Sequence, residues 1–269
     1  MTYGADFVEI YETVYEARGK DWVREAEAVV ALVRERYPQA GSLLDVACGT
    51  AAHLETFAQL VGDVEGLELS EPMLRRAWDR FPSRVHRGDM RNFRLPRRFD
   101  AVTCLFHAIG YVESREELHA AIQAMAQHLV LGGVLVIEPW WFPENFLDGY
   151  LAADAAHVEG SAIARVSHTS SQGRHSRLES RYLIARAEGI REVTQVHELM
   201  LFTRDEYMQA FDEAGCPATY YAEGINGRGI FVGVKGSSTE TRPVRSRDGG
   251  ASPEPSRTQA SRQGEGEPS

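Results

Sequence analysis

Five short apolar runs punctuate the first half of the chain: Leu43–Ala47, Val64–Leu69, Val85–His86, Phe99–Phe106 and Val134–Glu138. Stretches of helical period lie between most of them. Asp21–Tyr37 sets Val23, Ala26, Val29, Val30 and Val33 on one helical face, and Ala52–Leu60 also reads as helix. Ser70 caps a helix running to about Arg80, and Ser114 with Glu117 forms a capping box for a helix reaching Leu129. Gly132-Gly133 reads as the turn into the fifth run. Strands apolar on both faces that alternate with helices need a sheet covered on both sides. The fold class is therefore α/β, with a doubly wound, Rossmann-like parallel sheet.

The second half has a different rhythm. No helical pattern appears from about His157 to Leu201. Alternating runs at Ala162–His168, Arg177–Ala185 and Glu192–Met200 are separated by turn-like SSQGRHS and RAEGI, which predicts an inserted antiparallel β-sheet. A capped helix over Thr203–Gly215 and two more strands, Ala218–Ala222 and Ile230–Val234, would bring the first sheet to seven strands. The expected organisation is a core with an N-terminal helical cap over 1–145, the inserted sheet over 146–201, and the end of the core sheet over 202–235. Residues 236–269 form a tail whose only aliphatic residues are Val244, Ala251 and Ala260. Such a segment buries too little apolar surface to offset its ordering entropy, so it is expected to be disordered.

Among the 269 residues the formal net charge is -10, which counts against a non-specific nucleic-acid binder. Cys48, Cys104 and Cys216 are far apart and make neither a disulfide framework nor a zinc spacing, so no metal is expected and a reducing cytoplasm fits. The N-terminus has no signal-peptide pattern. The most apolar stretch, Leu129–Ile137, falls far short of the ~20 residues a membrane-spanning helix needs. No membrane partner is expected.

In an open parallel sheet, ligands bind outside the carboxyl ends of the strands. The first such end lies in Leu43–His53, LLDVACGTAAH, and the second strand ends at Glu68. Gly49 lets a ligand lie against bare backbone, and a carboxylate at Glu68 can accept hydrogen bonds from vicinal ribose hydroxyls. A pyrophosphate would need GxGxxG, but Ala47 and Ala51 stand where further glycines would be, which disfavours a nicotinamide oxidoreductase. Asp45 would repel a pyrophosphate and suits a cationic ligand bearing an ammonium group, such as S-adenosylmethionine. The competing reading is an ordinary tight turn beside a buried Asp.

LLDVACGTAAH, GLELSEPML, HRGDMRNF and the Gly132-Gly133 segment resemble the successive motifs of class I S-adenosylmethionine-dependent methyltransferases. YGADFVEIYE, ARGKDW, EPWWFPENF, ARVSHTSSQG and GINGRGIFVGV resemble a narrower family, the N-methyltransferases that dimethylate dTDP-linked 3-amino sugars of the desosamine and mycaminose type. The similarity spans about residues 3 to 235. It implies that Tyr11 and Arg18 hold the cofactor carboxylate and that Ala47 and Gly49 flank its methionine and ribose. It also implies Glu68 on the ribose, Leu69 on the adenine, Asp89 and Met90 at the adenine N6 and ring, and Leu105 and Phe106 beside the sulfonium. The family's last core strand is antiparallel, which suits Ile230–Val234.

The acceptor amine must present a free lone pair. His107, just past the fourth strand, is the first candidate base, followed by Tyr111 and Tyr3. The chain departs from the family here: Ser-Ser is usual where it has His107-Ala108, and some members carry His where it has Tyr111. One of Trp140, Trp141 and Phe142 could stack on thymine, with Trp141 the choice, and Arg165, His168 and Arg181 could meet a diphosphate. Arg165 and Ser167 share one strand face while His168 takes the other, so not all can touch one ligand. Arg228 resembles a sugar-contacting Arg, and Glu138 is expected to order a loop. Two alternatives stand beside this reading: a methyltransferase of another small acceptor, and a binding module that kept the fold without turnover. The inserted sheet has exposed edges and could make a homodimer.

Overall fold

The computed structural model describes residues 3–158 and 160–236, so the expected tail falls outside the described residues apart from Gly236. Seven strands form the main sheet: β1 (Ser42–Val46), β2 (Asp63–Glu68), β3 (Val85–Arg87), β4 (Phe99–Cys104), β5 (Leu129–Ile137), β10 (Ala218–Tyr221) and β11 (Ile230–Val234). Their spatial order is β10-β11-β5-β4-β1-β2-β3. The first five are mutually parallel where they pair, and β11 runs antiparallel to both neighbours. The chain leaves β1 toward β2 on one side and returns to β4 on the other. The gap beyond the β1 and β4 carboxyl ends is thus the topological switch point.

Side-chain alternation divides the core between the two faces. Leu44, Val46, Leu135 and Ile137 pack with helices α5 (Arg115–Gln127) and α6 (Arg204–Glu213). Leu43, Val134 and Val136 pack with α2 (Trp22–Arg34), α3 (Ala52–Leu60) and α4 (Glu71–Arg80). Ala26, Val29, Val30 and Val33 supply the buried face of α2, but Val23, in its first turn, is 53% exposed.

Several boundaries differ from expectation for identifiable reasons. Gly132-Gly133 lies inside β5: Gly132 adopts φ +79, and the β4 pairing jumps from Phe99↔Leu129 to Ala101↔Val134 across this bulge. At α5 the Ser114 hydroxyl accepts from the Glu117 N–H (3.2 Å), but the Glu117 carboxylate turns to the Glu113 N–H (2.8 Å), so the box is half made. Ser70 stands at the N-cap of α4 without making a side-chain cap bond. Thr203 and Glu206 form a complete capping box on α6.

The inserted sheet has four antiparallel strands in sequence order: β6 (Leu151–Val158), β7 (Ser161–Gln172), β8 (His175–Arg186) and β9 (Gly189–Met200). The strands exceed the expected runs because Ser170, Ser171 and Gln172 keep pairing up to a two-residue turn at Gly173-Arg174. The alanine-rich β6 carries little β-propensity and was not foreseen. Helix α1 (Ala5–Glu16) lies under the inner face, where Phe7, Ile10, Tyr11 and Val14 pack on Ile163, Tyr182, Ile184 and Val193. This layer holds the inserted sheet over the ends of the parallel strands. Among the described residues, no helix is long and apolar enough to cross a membrane.

Arg174 at the β7–β8 turn also ties the inserted sheet to the core by pairing with Glu206 on α6. The guanidinium draws the Glu206 carboxyl down to about 2 from its ordinary 4.5. A depressed carboxyl pKa gives stability that is present above the unfolded value and lost as pH falls through the folded one. The unfolding free energy should therefore drop between about pH 4.5 and 2, measured by urea titration. Glu206→Gln, which keeps the capping geometry without the charge, should flatten that drop; an unchanged slope would assign it elsewhere.

Candidate active site

Two clefts open at the carboxyl ends of the parallel strands. The first is lined by Tyr11, Ala47, Gly49, Glu68, Leu69, Asp89, Met90, Leu105 and Phe106, nine of the ten residues expected around the cofactor. The tenth, Arg18, lines the second cleft, where it approaches Asp154 (3.4 Å). The short helix-to-helix link after α1 turns Arg18 toward the inserted sheet, beside the cofactor cleft and outside its lining.

Glu68 organises the first cleft. Its carboxylate accepts N–H groups from Gly49 (2.8 Å), Leu69 (2.8 Å) and Ser70 (2.7 Å). Burial raises its pKa, and those three donors oppose the rise. Ala47 and Gly49 take positive φ (59 and 58), so the β1 turn exposes backbone to the cleft. Asp89 is held ionised by an Arg91 fork (Nε to Oδ1 3.0 Å, Nη2 to Oδ2 2.6 Å), and Arg91 is itself anchored on Glu117 (2.7 Å). Asp45 lines a small adjoining cavity with Tyr11, Trp22, Thr50 and His53. Thr103 donates to it (2.7 Å), and burial pushes its pKa up to about 6, an environment an ammonium group would relieve.

S-adenosylmethionine fits this cleft. Leu69, Met90, Leu105 and Phe106 supply apolar walls, and Glu68 is a carboxylate that would face the ribose hydroxyls of a bound cofactor. The hydroxyls of Ser70 and Thr50 are buried without a hydrogen-bond partner among the described residues, and both face this region. A polar ligand would satisfy them. The Phe106 face suits a sulfonium cation.

The second cleft lies under the inner face of the inserted sheet. It gathers four cations, Arg18, Lys20, Arg165 and Arg228, against one lining carboxylate, Glu25. Arg165 is buried and pairs with Asp154 (2.8 Å). Lys20 contacts Glu25, which also meets His53 (2.9 Å), and its ammonium lies 3.8 Å from the Phe106 ring centre. Trp140 lines the cleft, whereas Trp141 stays outside the lining and stacks beneath the Arg228 guanidinium at 4.9 Å. His168 and Arg181 are corrected: β7 and β8 alternation turns both to the exposed outer face, where Arg181 pairs with Glu179 and Glu192.

His107 adopts φ +61 directly after Phe106 at φ +51. The Glu138 carboxylate, which accepts the Phe106 N–H (2.7 Å) and an Asn226 amide N–H (3.1 Å), holds this left-handed pair, as a loop-ordering role requires. The Arg228 guanidinium donates to the His107 imidazole. Burial, and then the charges of Arg228 and Lys20, press its pKa well below the ordinary value. That setting keeps the imidazole neutral, and its ring supports the Arg228 guanidinium.

Tyr3, Phe106 and Tyr111 belong to both linings, so a group passing between the clefts must pass them. The Tyr3 and Tyr111 hydroxyls are 2.9 Å apart, and Tyr111 Oη is 2.6 Å from His197 Nδ1. His197 was missed by sequence reasoning. Its alternation with Val193, Gln195 and Leu199 was the available signal, because all four share one buried face.

Removing the Glu68 carboxylate should disrupt both the ribose contact and the turn that presents it. Glu68→Ala should weaken S-adenosylhomocysteine binding at least ~10-fold in calorimetry, since hydrogen bonds to a charged group contribute about 1.5–3 kcal/mol. Unchanged affinity would move the cofactor away from this cleft.

Residues 43–133 match a methyltransferase domain model. The chain is 48% identical to the dTDP-3-amino-3,6-dideoxy-alpha-D-glucopyranose N,N-dimethyltransferase of Streptomyces fradiae, covering 89% of this chain and 95% of that one. It is 47% identical to the dTDP-4-amino-2,3,4,6-tetradeoxy-D-glucose N,N-dimethyltransferase of Saccharopolyspora spinosa, over 87% and 94% of the two chains. A solved S-adenosylmethionine-bound amino pentose methyltransferase of calicheamicin biosynthesis, from Micromonospora echinaspora, superposes with a TM-score of 0.80 at 51% identity, covering 84% of this chain and 96% of that one. With the fold and the cofactor cleft in agreement, the chain belongs to this family of S-adenosylmethionine-dependent sugar N-methyltransferases.

Proposed function

We propose that the protein transfers methyl groups from S-adenosylmethionine to the amine of a dTDP-linked amino deoxysugar, twice, in antibiotic biosynthesis. The observation that carries this reading is the cationic cleft that meets the cofactor cleft at Tyr3, Phe106 and Tyr111, in a chain whose net charge is -10. The relatives named above support the acceptor class. Their identities of 48% and 47% are equal in practice for 3-amino and 4-amino substrates, so the pocket's own side chains must set the amine position.

The core cleft holds the cofactor, and the inserted sheet, 146–201, holds the acceptor. When bound, S-adenosylmethionine supplies an electrophilic methyl on a sulfonium, which the amine's lone pair takes in line. The protein's task is alignment and exclusion of water. Arg165, with Arg18 and Lys20 beside it, meets the diphosphate, and bidentate guanidinium contacts suit that geometry. Arg228, seated on His107 and the Trp141 ring, contacts the sugar, and Trp140, which lines the cleft, stacks on the base. Tyr3 and Tyr111 bind the amine. Buried free thiols at Cys48, Cys104 and Cys216 support a cytoplasmic location.

We place a homodimer contact on the outer face of the inserted sheet. Ala153 and Ala164 there neighbour Val166 and Leu183, which are 61% and 51% exposed, in one apolar stripe. Leu183→Glu should convert a dimer to a monomer in light scattering; a monomeric wild type would remove the dimer.

Turnover with a dTDP-3-amino-3,6-dideoxyhexose, read by mass spectrometry, should give the dimethylamino product, and absence of methyl transfer would sink the assignment. Arg165→Leu should weaken binding of that sugar nucleotide at least ~10-fold, with S-adenosylhomocysteine binding unchanged. Arg181→Leu should alter neither, and equal losses in the two variants would contradict the face assignment.

A further inference from the structure

The seam between the clefts carries a hydrogen-bonded chain of three side chains, Tyr3–Tyr111–His197, with separations of 2.9 Å and 2.6 Å. His197 rises from the inner face of β9 and is 5% exposed. The Tyr3 ring packs edge-on at 5.5 Å and the Phe7 ring at 6.5 Å, so its surroundings are aromatic. Burial lowers its pKa to about 4, and the imidazole stays neutral at working pH. Burial also lifts Tyr3 and Tyr111 well above their ordinary value, so both phenols keep their protons.

A neutral imidazole offers one donor and one acceptor, and a phenol offers one proton and its lone pairs. With Nδ1 as the acceptor, His197 takes the only proton of Tyr111. The Tyr111 oxygen can then only accept; Tyr3 donates its own proton to it (2.9 Å) and so adds a second accepting oxygen. We infer that His197 is a positioning residue that sets the direction of this chain, so that the seam offers oxygen lone pairs to the N–H bonds of the acceptor amine and leaves the nitrogen lone pair unbonded, facing the methyl.

The inference rests on the N-methyl transfer proposed above. In that step the nitrogen lone pair forms the N–C bond, the C–S bond breaks with its electron pair left on sulfur, and the nitrogen keeps its protons as an ammonium. One proton passes to water after release. A primary amine has two N–H bonds and a secondary amine one, and each finds an oxygen here. A neutral tertiary amine has none, so the seam no longer holds it and transfer ends at two. Without His197, the Tyr111 proton is free to turn onto the amine lone pair and occupy it.

A double-mutant cycle on the full chain tests this, with initial rates on a dTDP-3-amino-3,6-dideoxyhexose. His197→Ala should lower kcat on the order of 10²-fold in the wild-type background, the scale of a misaligned reactant. In the Tyr111→Phe background the same change should have little effect, because His197 acts through that hydroxyl. His197→Asn, whose carbonyl oxygen can stand in for Nδ1, should restore most of the rate. A readout apart from turnover is the imidazole ¹⁵N resonance that disappears in His197→Asn. In the wild type it should report Nε2–H with Nδ1 as acceptor, and it should shift in Tyr111→Phe. Equal losses from His197→Ala in both backgrounds, or an Nδ1–H tautomer in the wild type, would overturn the inference while leaving the methyltransferase reading intact. A wild type that binds S-adenosylhomocysteine but methylates no amine would overturn both. If His197→Ala does not fold, the tautomer and the His197→Asn rate decide the question.

Discussion

One carboxylate fastens the two turns on which the rest of the site is built. Glu68, at the end of β2, accepts from Gly49 in the β1 turn and from Leu69 and Ser70 at the start of α4. Neighbouring parallel strands share ladder bonds but have no tight turn between them, so their ends can drift apart unless something crosses the gap. Glu68 is that crossing. It fixes how far Gly49 stands from Leu69, and that spacing is the width of the slot a purine and ribose must enter. Glu138 repeats the device on the other side of the switch point, where it fixes Phe106 and therefore the wall the two clefts share.

The second cleft depends on that wall in a different way. Its cations come from the link after α1, from β7 and from the loop before β11, and no single element could supply them. Their mutual repulsion is held in check by carboxylates behind them: Glu25 for Lys20 and Asp154 for Arg18 and Arg165. An anion entering the cleft would meet charges that are already oriented, which lowers the reorganisation needed on binding.

This contrast explains what was legible beforehand. The parallel sheet and the cofactor cleft were readable because each strand end carries its chemistry within a few residues of an apolar run, as in Asp45–Gly49 or Glu68–Ser70. The second cleft draws single residues from positions 3, 18, 107, 165, 197 and 228, and no local pattern joins them. Alternation separated Arg165 from His168 correctly, but only packing against α1 decides which face turns inward. Arg181 follows the same rule on β8, whereas Arg18 and Trp141 lie in links whose local sequences permit either orientation. The position of His107 past the fourth strand was readable, but its contact with Arg228, distant in sequence, was not.

The alternation of β7 also bears on how such an enzyme changes over generations. Ile163, Arg165 and Ser167 point into the interior while Ala164, Val166 and His168 point out, along one unbroken strand. Inserting or deleting a single residue there would exchange the two sets, exposing the buried guanidinium and driving the apolar stripe into the ligand space. Drift in this segment is thus confined to replacements at fixed length. New acceptor preferences must arise by swapping one inward side chain at a time, whereas the loops around the sheet remain open to growth.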